Sequence, residues 1–209
     1  MASAVASAVA MLVFDGFADW EPAFALTGLR RWGGRTVKTA GYDLRPVISM
    51  GGLRIVPDLA LADLSPEDTE LLILPGGDVW EAGYPEDALD PVLGRMRAAR
   101  VPVAAICGAT IAAARAGLFR GRRHTSNSRA YLQQHAPESG QDGAYVDELA
   151  VTDDGVISAS GLGAIEFAAE IFTQLGVFGA DEIRQYTEMY RRGTTTMAQS
   201  EAATRRRHS

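Results

Sequence analysis

Short unbroken apolar runs alternate along this chain with longer segments of helical periodicity. Ala8–Phe14, Leu71–Leu74 and Val101–Ile106 are apolar at nearly every position, the pattern of strands covered on both faces. Thr36–Ala40 reads as a further strand. Ala18–Trp32 has an apolar stripe at helical spacing and stops at Gly33-Gly34. Pro46–Ser49 and Leu53–Val56 flank Met50-Gly51-Gly52 as a short hairpin, and Glu148–Thr152 with Val156–Ala159 make a second around Asp153-Asp154-Gly155. Helices are expected over Gly108–Gly117, Gly163–Leu175 and Asp181–Arg191, with one more opening at Asp90 as N-cap and Pro91 at the first helical position.

Buried strands alternating with amphipathic helices imply an α/β fold, a mostly parallel sheet with helices on both faces. Such sheets bind ligands at the carboxyl ends of their strands, near the reversal of strand order. Three exits are therefore the places for chemistry: Asp15–Glu21, Pro75–Asp78 and Cys107–Thr110. One domain over residues 1–192 with a polar tail over 193–209 accounts for the whole length. Met1–Ala10 has no basic n-region and no run reaches the ~18 apolar residues of a membrane span, so the cytoplasm is the expected compartment.

Composition narrows the chemistry through its scarce residues. The chain has one Cys, three His (His124, His135, His208), one Lys (Lys38) and one Asn (Asn127). A lone Cys excludes an internal disulfide and any zinc site built from several thiolates, and no metal or cofactor is expected. Lys38 follows Val37, so there is no phosphate-binding Gly-Lys-Ser/Thr motif. A net charge of −6 argues against nucleic acid as partner, and Arg205–Arg207 is too short a basic run to reverse that.

Cys107 falls between a buried strand and a helix that opens on small residues, Cys107-Gly-Ala-Thr-Ile-Ala-Ala-Ala114. That is the arrangement of a nucleophile elbow. A lone Cys in a strand is most often a small buried apolar residue. At a helix start, unpaired N–H groups and the macrodipole instead favour a thiolate. Glu21 shares its helical stripe with Ala25, Gly28, Leu29 and Trp32, which places a carboxyl group on the core side just past the first strand. A first-turn Glu that only complements the helix dipole would prefer the solvent face. Beside a thiolate, Glu21 would share a proton and have its pKa raised. Gly76-Gly77 follows another buried strand, and the N–H groups of Gly77 and Gly108 are candidates for an oxyanion hole. Glu166 reads as dipole complement, His135 as a surface residue, and Trp20 and Trp80 either as pocket walls or as dimer contacts.

Four stretches then combine: Phe14-Asp-Gly-Phe-Ala-Asp-Trp-Glu21, Leu74-Pro-Gly-Gly77, Ala105-Ile-Cys-Gly108 and Ser160-Gly-Leu-Gly-Ala-Ile-Glu-Phe-Ala168. Their order and spacing resemble the ThiJ/PfpI superfamily over about residues 8–178. That group is related in fold to class I glutamine amidotransferases and includes protein deglycases, glutathione-independent glyoxalases, isonitrile hydratases and intracellular proteases. The resemblance implies a flavodoxin-like, doubly wound fold and a homodimer. It implies Cys107 as elbow nucleophile or redox thiol, Glu21 as its protonated partner, and Gly77 and Gly108 as oxyanion donors. Many members carry a His after the elbow helix. Aligning Thr125-Ser126 with the family's small-hydroxyl pair puts Asn127 there, with His124 three residues earlier. Asn can orient a substrate but cannot act as a base near neutral pH. This departure argues against a Cys-His-acid triad and against proteolysis.

Three functions compete. In the first, Cys107 adds to a small electrophile such as an α-oxoaldehyde or an isonitrile, Glu21 moves the proton and Asn127 or His124 orients the substrate. In the second, Cys107 is an oxidisable sensor thiol in a module with no turnover. Glutamine hydrolysis is third and disfavoured, since it calls for a His base and a synthetase partner.

Overall fold

The computed structural model describes residues 7–137 and 144–193. Arg205–Arg207, His208 and the expected tail beyond Gly193 lie outside the described residues. The first half runs β1 (Ala8–Val13), α1 (Trp20–Arg31), β2 (Val37–Gly41), β3 (Val47–Ile48), β4 (Arg54–Ile55), β5 (Leu59–Ala60) and β6 (Thr69–Leu74). It continues with α2 (Val79–Ala82), α3 (Glu86–Ala98), β7 (Val103–Ile106), α4 (Ala109–Arg115) and α5 (Arg129–His135). The hairpin β8 (Ala150–Asp153) and β9 (Val156–Ala159), then α6 (Ala164–Gln174) and α7 (Ala180–Arg192), complete it.

Seven strands form one sheet in the order β5-β2-β1-β6-β7-β9-β8, parallel throughout except for the β8–β9 pair. The expected flavodoxin-like α/β architecture is therefore present. Every residue of β1, β7 and β9 is buried, as strands covered on both faces require. Strand order reverses at β1: the chain steps to β2 on one side and to β6 on the other. Leu74 pairs with Ala105 and Ile106 with Ala159, so the carboxyl ends of β6, β7 and β9 come level. That alignment brings Pro75-Gly76, Cys107 and Ser160-Gly161 to one edge of the sheet.

The helix expected to open at Asp90-Pro91 begins four residues earlier, at Glu86, and carries Pro91 within it. Its buried stripe of Leu89, Val92, Leu93 and Met96 explains the difference. Leu89 belongs to that stripe, so packing carries the helix back through the proline despite one lost backbone hydrogen bond. Asp90, instead of capping, accepts a hydrogen bond from the Tyr84 hydroxyl at 3.3 Å.

The small β3–β4 hairpin is antiparallel, as expected, and hangs from the β1–α1 loop. Asp15 accepts the Ile48 N–H at 2.8 Å, while the Asp19 carboxylate accepts the Ser49 hydroxyl and the Gly51 N–H. Backbone bonds from Gly16 to Ile48 and from Met50 to Phe17 complete the attachment.

Helix α1 lies against α6 with almost no space between them. A Cβ on Gly28 would sit 2.1 Å from Phe172 Cζ. Phe172 is fully buried and fenced by Phe178 and Tyr186, so it has nowhere to move. The ~1 kcal/mol that alanine normally adds to a helix over glycine is then outweighed by overpacking. Gly28→Ala should destabilise the protein by about 1–2 kcal/mol, read as a lower urea midpoint. Adding Phe172→Leu should recover part of that loss.

Candidate active site

Strand β7 ends at Ile106, and the chain turns sharply into α4 through Cys107. Cys107 has φ +59°, a left-handed conformation that a β-carbon makes costly and that persists only when the surroundings enforce it. They do so from three directions. The Cys107 N–H donates to Ala159 O at 2.9 Å, which ties the elbow to the end of β9. Its carbonyl accepts the Thr110 N–H at 3.1 Å and the Thr110 hydroxyl at 2.6 Å. Because the Thr110 proton is committed there, the Ser126 hydroxyl is the donor in the 2.7 Å Thr110–Ser126 contact. The segment before α5 is thereby fastened to the elbow.

Glu21 is 1% exposed, on the core stripe where its helical spacing places it. Its Oε2 accepts the Gly76 N–H at 2.6 Å, and its carboxyl group lies beside the Cys107 side chain. Two glycines make room for this pair. A Cβ on Gly76 would lie 2.4 Å from Glu21 Oε2 and 2.8 Å from the Cys107 Cβ. One on Gly161 would lie 3.0 Å from Cys107 Sγ and 3.2 Å from Glu21 Oε1. The carboxyl and thiol groups are thus wedged between the ends of β6 and β9.

Asn127 belongs to this cluster. Its Oδ1 accepts the Gly161 N–H at 2.9 Å, which turns Nδ2 toward Cys107 Sγ at 3.4 Å. His124 does not. Its segment pairs with Tyr145, its ring stacks on Phe119 with centroids 4.6 Å apart, and its Nδ1 faces the Arg122 carbonyl. It is a buried strand-end histidine. Gly77 and Gly108 adjoin: a Cβ on Gly108 would meet Gly77 O at 3.1 Å and the Trp80 ring at 2.8 Å. The Gly108 N–H faces the Cys107 sulfur.

Trp80 is fully buried, with its indole N–H on Pro75 O at 2.9 Å, so it is a floor beneath the glycine loop and no contact for a partner chain. Trp20 is 52% exposed. Glu166 pairs with Arg191 of α7, and His135 is half-buried beside the Tyr131 ring. Three residues of the site are additions to the sequence reading. Gly161 marks the exit of a fourth strand, β9, and the same strand-to-glycine signal that flagged Gly76 would have found it. Tyr131 and Glu81, hydrogen-bonded at 2.8 Å, stand on short helices whose sequences carry no comparable signal.

The electrostatics correct one expectation. Instead of being lowered by the helix start, the Cys107 thiol is pushed up to about 11, first by burial and then by the charge of Glu21, against the opposing pull of Asn127 and Gly108. Burial also raises the Glu21 carboxyl, although the Gly76 N–H and Cys107 oppose it. Both shifts have one origin: this pocket has room for one negative charge, so the pair holds one proton between them.

The chain belongs to the DJ-1/PfpI family, whose pattern its residues 7–174 match. It is 33% identical over 193 residues to a Bacillus subtilis protein named as an uncharacterized protease, YoaZ, covering 87% of this chain and 89% of that one. It is 33% identical over 147 residues to the glutathione-independent glyoxalase DJR-1.2 of Caenorhabditis elegans, covering 68% and 75%. Among solved structures, the DJ-1 superfamily protein Atu0886 of Agrobacterium tumefaciens superposes with a TM-score of 0.82 at 34% identity, over 90% of this chain and 100% of that one.

A shared proton has a measurable signature. Alkylation of Cys107 by iodoacetamide should show a slow plateau near neutral pH, from thiolate formed by proton transfer to Glu21, and then rise toward about 11. Glu21→Gln should abolish the plateau and move the rise to lower pH, because a negative charge beside the sulfur is gone while burial remains.

Proposed function

We propose that this chain is a cysteine-dependent enzyme acting on a small electrophilic substrate through Cys107 and Glu21. The observation that carries the reading is the elbow itself: a non-glycine residue at φ +59° holds its sulfur against a buried carboxyl group. Strain of this kind is retained where a side chain must be presented. The name of the C. elegans relative directs the choice of probe to an α-oxoaldehyde.

In this reading Glu21 is the base that makes the nucleophile. Its raised pKa fits it to take the Cys107 proton as the S–C bond forms and the carbonyl electrons move to oxygen. The N–H groups of Gly77 and Gly108 receive the developing oxyanion, and Glu21 returns the proton to it. Asn127 orients the substrate from the opposite side of the sulfur, and the reaction uses no metal or cofactor. A small-molecule substrate would reach the sulfur past Asn127, which is exposed. We place the enzyme in the cytoplasm as a homodimer, because Trp20, Ile48, Met50, Leu53 and Leu162 leave apolar surface exposed for a second copy to cover.

A second reading, an oxidisable sensor thiol, is favoured by the amide donor at 3.4 Å from a partly accessible sulfur, which suits a sulfenate or sulfinate oxygen. The two readings separate cleanly. With methylglyoxal as probe, the wild-type protein should form lactate with saturable kinetics. Cys107→Ala should abolish turnover, and Glu21→Gln should lower kcat about 100-fold or more. Absence of turnover, together with a mass gain of one or two oxygens on Cys107 under mild peroxide, would decide for the sensor.

A further inference from the structure

Chemistry on an α-oxoaldehyde needs a proton moved between two carbon atoms after the sulfur has added, and among the described residues no histidine contacts the Cys107 sulfur to move it. The Tyr131 hydroxyl, hydrogen-bonded to the Glu81 carboxylate, interacts with both Asn127 and Cys107. Tyr131 lies in the first turn of α5, fixed by its N–H on the Ser128 side chain at 3.0 Å and by its hydroxyl on Glu81 Oε1 at 2.8 Å. Asn127 is the residue before that cap, so α5 begins at the sulfur's edge. Glu81 lies on α2, which starts two residues after Gly77 and is anchored by Trp80 on Pro75 O. The Tyr131–Glu81 bond therefore joins the helix that follows the glycine loop to the helix that follows Asn127.

We propose that Tyr131 is the group that takes a proton from the bound substrate and returns it, with Glu81 as the positioning residue that accepts the tyrosine's own proton in the same step. This inference rests on the cysteine-dependent reading above. In the sulfur adduct of methylglyoxal, the C–H bond at the former aldehyde carbon breaks, its electron pair forms a carbon–carbon double bond to the ketone carbon, and the ketone C=O π pair moves onto its oxygen. The proton passes to Tyr131 Oη as the phenolic proton passes to Glu81. Reversal of the relay delivers a proton to the neighbouring carbon and the hydroxyl proton moves to the neighbouring oxygen. The resulting thioester is hydrolysed by water to lactate, which frees the thiol.

Burial and Glu81 raise the Tyr131 phenol far above its ordinary range, and the Cys107 charge and the Asn127 amide also act on it. The phenol is thus protonated at rest, which is what a concerted relay requires and a free phenolate base would not. Because Glu81 is exposed, the proton it accepts can exchange with solvent.

The test compares lactate formation from methylglyoxal in the wild type, Cys107→Ala, Tyr131→Phe, Glu81→Gln and Glu81→Asp. Tyr131→Phe and Glu81→Gln should each lower kcat about 100-fold with KM within about twofold, and Glu81→Asp should restore a measurable part of the rate. A purely structural role would move KM and thermal stability and would show no rescue by Asp. If Tyr131→Phe fails to fold, Glu81→Gln, on an exposed side chain, carries the test alone. Tyr131→Phe and Glu81→Gln turning over within about threefold of wild type, with Cys107→Ala inactive, would overturn the relay and leave the cysteine reading standing. A wild-type protein without turnover, or an active Cys107→Ala, would overturn both.

Discussion

One hydrogen bond organises this molecule, from the Gly76 N–H to the buried carboxyl group of Glu21. A carboxyl group taken out of water at the end of a sheet must be given a donor or a proton, and here it is given one of each. That requirement fixes the neighbourhood. Gly76 must be glycine because a carboxyl oxygen occupies the place of its side chain, and a Cβ on Gly161 would press on the sulfur at 3.0 Å. The left-handed turn at Cys107 then aims the thiol at that carboxyl group.

The fold was largely legible because its signal is repeated. Each fully apolar run became a central strand, and the stripe through Glu21, Ala25, Gly28 and Leu29 is buried as its spacing demands. Sequence reasoning failed where a local signal met a packing demand: Asp90-Pro91 has the form of a helix start, yet Leu89 had to be helical to reach the core. In the site, Cys107, Glu21 and Asn127 were each marked by something in their own segment. Tyr131 and Glu81 were not, because their meaning lies in a contact between residues 50 apart, on helices of seven and four residues. The sign of the thiol shift was illegible for a similar reason. A helix start is visible in a sequence, whereas the desolvation that outweighs it depends on what closes over the sulfur.

An asparagine beside the sulfur sets the division of labour around the thiol. Asn127 occupies a position from which it can point at the sulfur without competing for its proton, and His124, three residues away, is kept from the site by its stacking on Phe119. In the proposed reaction the acid–base work falls to carboxyl groups: one buried and sharing, the other exposed and linked through a phenol.

Trp80 has a further use. Of the three indoles, Trp20 is half-exposed, Trp32 is half-buried against Phe178 and Tyr186, and Trp80 is sealed beneath the glycine loop beside Gly108 with its N–H on Pro75 O. A sealed indole emits at shorter wavelength than a solvated one and is shielded from a quencher such as acrylamide. The protein therefore carries an optical reporter packed against Gly108, the residue after the reactive cysteine. Any event that shifts the Pro75–Gly77 loop, whether an adduct on Cys107 or oxygen added to it, will alter the emission that survives quenching.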